Sequence, residues 1–306
     1  MSISLLFPGQ GAQYPGMGKD LYEQFSLAKE VYTMAGDITG KDVCGMSFTG
    51  TAEQLAQTEN AQLCIFTHSM AIATVLRAGG AEVEAAAGFS LGECSALCAA
   101  GAFSLEQGFQ LVALRGQLMG QAAADNGGTM AAVMGLAPDQ IEACCAESDG
   151  YVEAVNYNSP AQTVIAGDPA AVQAAGERCL AAGASRVVPL AVSGAFHTRY
   201  MQPAGEALTA RLAGMAFSSL QLPVYTNLTG RPLESGCDLA AHLGRQMCSP
   251  VRWVDTVRNM VADGHLKAAE CGPGKVLTGN GRRISREMKV HNLQTADDVK
   301  KILDSF

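Results

Sequence analysis

AAAGFSLGECSALCAAGAF, residues 85–103, runs apolar into a serine held between two glycines and apolar out again. A short hydrophobic run ending at Gly88, then Ser90, then a stretch rich in Ala and Leu reads as a buried strand, a sharp corner and a buried helix. Gly-x-Ser-x-Gly at such a corner has two readings. One is an ordinary turn, since turns are full of Gly and Ser. The other is a nucleophile elbow, in which the corner pushes Ser90 into a cleft and the glycines let neighbouring backbone approach. The pattern by itself does not separate them.

The alternation of strand and helix extends to either side. Residues 3–7 read as a buried strand running into the loop Pro8-Gly9-Gln10-Gly11, and a long helical pattern covers 61–78. The strand at 85–88 is followed by helices over 91–100 and 105–124. Strands alternating with helices predict an α/β fold whose mostly parallel sheet is covered on both faces. After residue 126 the order changes: strand 129–136, helix 138–146, strands 151–156 and 162–166 joined by the turn residues Asn158, Ser159 and Pro160, helix 169–182, and strand 186–192. Asp168 is the expected N-cap of the second helix, with Pro169 at its first position. This β-α-β-β-α-β order is the split unit of a ferredoxin-like subdomain. The expected organisation is therefore a large α/β hydrolase-like domain, residues 1–125 and 199–306, with an inserted ferredoxin-like subdomain at 126–198. Short connections place a cleft between the two.

A chain of 306 residues with 48% hydrophobic and 16% charged residues is long enough to bury a sizeable core and fits a soluble enzyme. Polar residues interrupt the longest apolar stretches, so no transmembrane span is expected, and MSISLLFPGQG lacks the basic start and long apolar region of a signal peptide. The ten cysteines form no Cys-x-x-Cys pair, and Cys94 and Cys98 lie one helical turn apart among alanines. That reads as buried thiols of a reducing compartment, the cytoplasm. Five scattered histidines offer no ligand-spaced cluster, so no metal is expected. The net charge of -8 argues against general nucleic-acid binding, although Arg282, Arg283, Arg286 and Lys289 form a local basic cluster. Neither glycine-rich segment is a nucleotide motif. Gly9 and Gly11 lack the dinucleotide spacing, and in CGPGKVLTG (271–279) Lys275 is followed by valine while the first Walker glycine falls on Ala269.

A serine hydroxyl needs a base within hydrogen-bonding reach to act as a nucleophile. His68 lies in an apolar helical pattern, and His242, His265 and His291 sit in polar or helix-end contexts. His197 differs, because it follows the strand VVPLAV through a Ser-Gly-Ala-Phe turn at the junction of the two expected domains; it is the candidate base. Arg115 shares a helix stripe with Leu111, Leu118 and Ala122 while Gln110, Gln117 and Gln121 mark the polar side. A guanidinium on an apolar face cannot shed its charge and is costly unless paired. Its partner is either a fixed Asp or Glu or a substrate carboxylate gripped by the planar fork. Periodicity does not choose between them.

Six segments in order, FPGQGAQYPGMG (7–18), GFSLGE (88–93), LVALRGQLM (111–119), NYNSPAQTVIAG (156–167), SGAFH (193–197) and CGPGKVLTG (271–279), resemble the malonyl-CoA:acyl-carrier-protein transacylases, acyltransferases of fatty-acid and polyketide synthesis. The resemblance runs from the first strand to about Arg283. It implies malonyl transfer from malonyl-CoA to the phosphopantetheine thiol of holo acyl carrier protein. Separately, no cofactor and a monomer are expected. Ser90 would be the acylated nucleophile, His197 its base and Arg115 the holder of the malonyl carboxylate. The amides of Gln10 and Leu91 would form the oxyanion hole, the main-chain carbonyl of Gln246 would orient His197, and Gln62 would be a pocket glutamine. The family's usual elbow has histidine where this chain has Phe89, an aryl group expected to narrow the acyl pocket. Phe196 matches the form associated with malonyl rather than methylmalonyl units. Two rivals are a serine acyl hydrolase or trans-acting polyketide acyltransferase on the same fold, and a non-catalytic scaffold that docks carrier protein through the basic cluster.

Overall fold

Leu5 and Leu6 are neighbours in the chain and lie in different cores. They belong to strand β1 (Ser2–Phe7), the centre of a parallel sheet. The computed structural model, which describes residues 2–304, contains eight further strands: β2 (Glu82–Gly88), β3 (Thr129–Met134), β4 (Val152–Ser159), β5 (Gln162–Gly167), β6 (Arg186–Pro189), β7 (Val224–Tyr225), β8 (Lys267–Cys271) and β9 (Lys289–Leu293). The first sheet has the order β7-β2-β1-β8-β9, with every neighbouring pair parallel. Successive side chains of a strand point to opposite faces. Ile3, Leu5 and Phe7 therefore join the larger core with Leu63, Phe66 and Phe109, whereas Leu6 meets Ala85, Ala87, Trp253 and Val257 on the other face. A sheet buried on both faces needs near-continuous apolar strands, which is why SISLLF and the EVEAAAG run look as they do.

The larger core is organised around the helix Thr58–Ala78, which packs against Leu105–Asn126. By length and composition this helix could cross a membrane, with a mean hydropathy of 1.2 over its most apolar window. Some 83% of that window is buried inside the protein. It is a core helix. It carries His68, fully buried, with Nε2 3.0 Å from the carbonyl of Gln294. Burial pushes the His68 pKa from 6.5 down to about 4. The unfolded chain thus binds a proton below pH 6.5 that the folded chain refuses, so this contribution to stability is complete above pH 6.5 and declines as the pH falls toward 4. Urea unfolding between pH 6.5 and 5 should show stability falling by up to about 1.4 kcal/mol per pH unit for such a group. His68→Gln, which keeps a donor for Gln294, should flatten that slope; an unchanged slope would mean that the imidazole titrates normally.

The second sheet is antiparallel, in the order β4-β5-β3-β6, with Pro138–Ala146 and Pro169–Ala181 packed on one face over Val133, Ile141, Ile165, Val172 and Cys179. That order is the ferredoxin-like one. Three local expectations need correction. β4 continues through Ser159, its ladder with β5 shifting register twice, so the turn is confined to Pro160 and Ala161. β6 ends at Pro189 rather than 192: antiparallel pairing sets Arg186 beside Met134 and Pro189 beside Ala131, close to where β3 begins at Thr129, and the chain then leaves the sheet edge toward Ser193 and Gly194. Asp168 occupies the N-cap position without capping. Its carboxylate instead accepts the Tyr151 N–H at 3.0 Å and the hydroxyl of Tyr200. All ten cysteines are free thiols.

Candidate active site

Ser90 stands where β2 ends and the helix Leu91–Ala99 begins, at φ 51° and ψ −108°. A positive φ is uncommon for a side-chain-bearing residue and costs on the order of 1–3 kcal/mol. Packing explains the flanking glycines. A Cβ on Gly88 would lie 1.8 Å from the carbonyl carbon of Gly92, and one on Gly92 would lie 2.0 Å from the oxygen of Phe7. β1, β2 and the helix are thus in backbone contact at the corner, and Ser90 faces the cleft.

His197 also has a positive φ, 64°, and is buried. Its Nε2 lies 2.7 Å from Ser90 Oγ. Its Nδ1 faces two main-chain carbonyls, Gln246 at 3.2 Å and Ser249 at 3.0 Å. Carbonyl oxygens only accept, so Nδ1 carries the proton and the Nε2 lone pair is left to accept from the serine hydroxyl. Burial first, and the Arg115 charge second, push the His197 pKa down to about 4. The imidazole is therefore neutral at pH 7, the form in which it can act as a base.

Arg115 is fully buried. Its Nη1 donates to Gln62 Oε1 at 2.7 Å, and its Nη2 donates to Gln246 Oε1 at 3.0 Å and to Ser90 Oγ at 3.4 Å. Among the described residues no carboxylate lies within ion-pairing distance of it, and its Nε–H is a buried donor without an acceptor. Of the two partners left open by the periodicity, an internal acid is not found among the described residues. The guanidinium presents an unused donor and a full charge beside the serine.

Ser90, His197, Gln10, Phe89 and Phe196 line one cavity of about 100 Å³, together with Met119, Met130, Asn156, Leu190 and Val192. That is about three times the share of liquid volume taken by one water, room for a short acyl group. Met130 and Asn156 reach it from the antiparallel sheet, and Gln10, Phe89 and Ser90 from the segments that follow β1 and β2. Phe89 packs edge-on against Trp253, ring centroids 5.8 Å apart, and its carbonyl oxygen would be 2.5 Å from a Cβ on Gly9, which brings the Gln10 loop close to the elbow. Leu91 is the first helical residue, so its N–H has no intrahelical acceptor. Gln62 reaches the site through Arg115 and through Met119, whose sulfur accepts from Gln62 Nε2 at 3.3 Å. Arg282, Arg286 and Lys289 line a separate surface groove of about 280 Å³ with His291, which shares no residue with the serine cavity.

Two contributors were absent from the sequence reading. Ser249 offers only its carbonyl, for which no residue type is diagnostic. Asn227, fully buried, binds the main chain of Ser90, yet VYTNLTG reads simply as a strand end and a turn.

A hydroxyl with its base, a neighbouring cation and apolar walls is equipped for acyl transfer through an ester. Residues 5–302 match the family described as the acyl transferase domain. Over 307 residues the chain is 37% identical to the malonyl CoA-acyl carrier protein transacylase of Bacillus subtilis, an alignment covering 99% of this chain and 97% of that one. The chain belongs to the malonyl CoA-acyl carrier protein transacylases of the acyl transferase family. A second relative of the same name, from Haemophilus influenzae, is 40% identical over 308 residues, covering 98% of this acyl transferase and 99% of that protein. Among solved structures, a type II PKS acyl-carrier protein in complex with its malonyl-transacylase (PlMCAT:AntF, holo) matches this acyl transferase with a TM-score of 0.96 at 37% identity, covering 100% of both chains. The fold class read from the sequence is the one found.

Proposed function

We propose that this acyl transferase moves the malonyl group of malonyl-CoA to the phosphopantetheine thiol of acyl carrier protein through a malonyl ester of Ser90. Ser90 Oγ attacks the thioester carbonyl as His197 Nε2 takes its proton, and the amides of Gln10 and Leu91 hold the oxyanion. The C–S bond breaks, and coenzyme A leaves as a thiol with the proton returned by His197. The carrier thiol then gives its proton to His197 and attacks the ester, and Ser90 recovers its proton as the C–O bond breaks. Thioester and oxygen ester are close in energy, so no further co-substrate is needed. One oxyanion donor in such a site is worth about 100-fold or more in rate.

The observation that carries this reading is the buried Arg115 charge beside Ser90 Oγ, with no acid among the described residues in ion-pairing distance to neutralise it. A hydrolase of neutral esters has no use for a cation there, whereas a malonyl carboxylate supplies the missing partner. Gln62 and Gln246 fix the guanidinium plane in advance, which reduces the cost of orienting the acyl group. Phe196 and Phe89 close the wall against an α-methyl branch. The division into residues 1–125 with 199–306 and an inserted 126–198 goes with this reading, since substrate would enter between the two parts. So does a cytoplasmic setting, where free thiols persist.

Intact-mass measurement after mixing with malonyl-CoA, acetyl-CoA or methylmalonyl-CoA tests the proposal. Malonyl-enzyme should accumulate and be isolable, methylmalonyl-enzyme should form about tenfold or more slowly, and neither should form on Ser90→Ala. Rapid hydrolysis without a stable adduct would favour the hydrolase.

A further inference from the structure

Beneath the serine lies a buried polar layer that the acyl-transfer chemistry itself does not use. Glu93 and His242, both buried, form its base, with Glu93 Oε1 2.6 Å from His242 Nε2. The other oxygen, Oε2, accepts the N–H of Asn227 at 2.6 Å. The Asn227 carbonyl accepts the N–H of Arg252 at 3.0 Å, so the main chain of this residue is pinned on both sides. Its side chain then spans the elbow. Nδ2 donates to the carbonyl of Gly88 at 2.6 Å, and Oδ1 accepts the Ser90 N–H at 2.7 Å. Gly88 O can only accept and Ser90 N–H can only donate, so the amide has one possible orientation. Oδ1 also accepts from Gln246 Nε2 at 3.1 Å, and that same nitrogen donates to Ser90 O at 2.7 Å.

We propose that Asn227, braced by Glu93 and His242, is the positioning residue that holds Ser90 in its strained conformation and so aims Oγ at His197. The N–H of the serine is held by Asn227 and its carbonyl by Gln246, which is how a backbone at φ 51° persists in a buried site. Without the amide clasp, the residue relaxes toward negative φ, Oγ swings away from Nε2, and the Leu91 amide turns with it. Asn227 does not line the acyl cavity, so the defect falls on reactivity and not on substrate binding. The inference rests on the reading of Ser90 as the acylated residue.

The test compares wild type, Asn227→Ala and Asn227→Asp by thermal denaturation, by the rate of Ser90 labelling with a fluorophosphonate, and by kcat and KM for malonyl-CoA. Asn227→Ala should unfold cooperatively, lose about 100-fold in both labelling rate and kcat, and keep its KM within about threefold, the cost of misplacing a reacting atom. Asn227→Asp has the same size and keeps an acceptor for Ser90 N–H but cannot donate to Gly88. It should lose at least about tenfold, and it decides the matter should the alanine variant fail to fold. Folded variants labelled within threefold of wild type, or a loss confined to KM, would overturn the positioning role. Wild type that is not labelled at Ser90 would instead overturn the acyl-serine reading on which it rests.

Discussion

Arg115→Ala is expected to slow malonyl loading of Ser90 about 1,000-fold while changing acetyl loading by less than about tenfold, because breaking a buried ion pair costs about 3–5 kcal/mol. In the variant, the malonyl carboxylate would enter a cavity walled by Met119, Phe89 and Phe196 without a partner. The acetyl group has no carboxylate and forfeits nothing of this kind. Alanine rather than a bulkier apolar residue is the informative replacement. The Oε1 atoms of Gln62 and Gln246, which now accept from the guanidinium, are then left facing a space that water can fill and satisfy. Rates of acyl-serine formation, measured by rapid quench and intact mass for the two thioesters side by side, give the ratio directly. Equal losses for both acyl groups would show that Arg115 merely supports Gln246 and the elbow.

What the sequence discloses about this site follows from what leaves a trace in residue type. A guanidinium on an apolar helix stripe is an energetic anomaly, so Arg115 stands out from periodicity alone, and the glycines of GFSLG flag a corner because close backbone contact excludes every other side chain. Two strands of the parallel sheet, β1 and β2, are legible for the same reason, since burial on both faces demands short apolar runs, whereas β8 and β9 were not read. Other parts leave no such trace. β7 is two residues long, too short for any period, yet it delivers Asn227 to the elbow. The second carbonyl on His197 belongs to Ser249, and any residue could have supplied it. The positive φ values of Ser90 and His197 are imposed from outside by hydrogen bonds to residues more than a hundred positions away or by the turn that re-enters the cleft, and neither residue type announces them. Glu93 and His242 were invisible as a pair because their contact bridges 149 positions.

Removing the imidazole should have the larger effect: His197→Ala is expected to slow Ser90 acylation about 10,000-fold, the upper range for a positioned general base. The pH dependence identifies the same group without mutation. Only neutral imidazole accepts the serine proton, so kcat/KM for malonyl-CoA, which reports the free enzyme, falls on the acid side as Nε2 becomes protonated. Burial and Arg115 both oppose that protonation and set the pKa at about 4, so loading should stay near its plateau through pH 6 and fall only well below 6.5. The same physics separates the two half-reactions. Once malonate is bound, its carboxylate offsets the Arg115 charge, one of the two causes of the depression, and the His197 pKa rises. Transfer from malonyl-Ser90 to a thiol should therefore lose rate at a higher pH than loading does, and Arg115→Ala should move the loading limb upward in the same direction. Single-turnover measurements of each half-reaction from pH 4 to 8 resolve the two limbs. A loading limb at or above 6.5, or one that Arg115→Ala leaves in place, would show that the guanidinium does not govern the base.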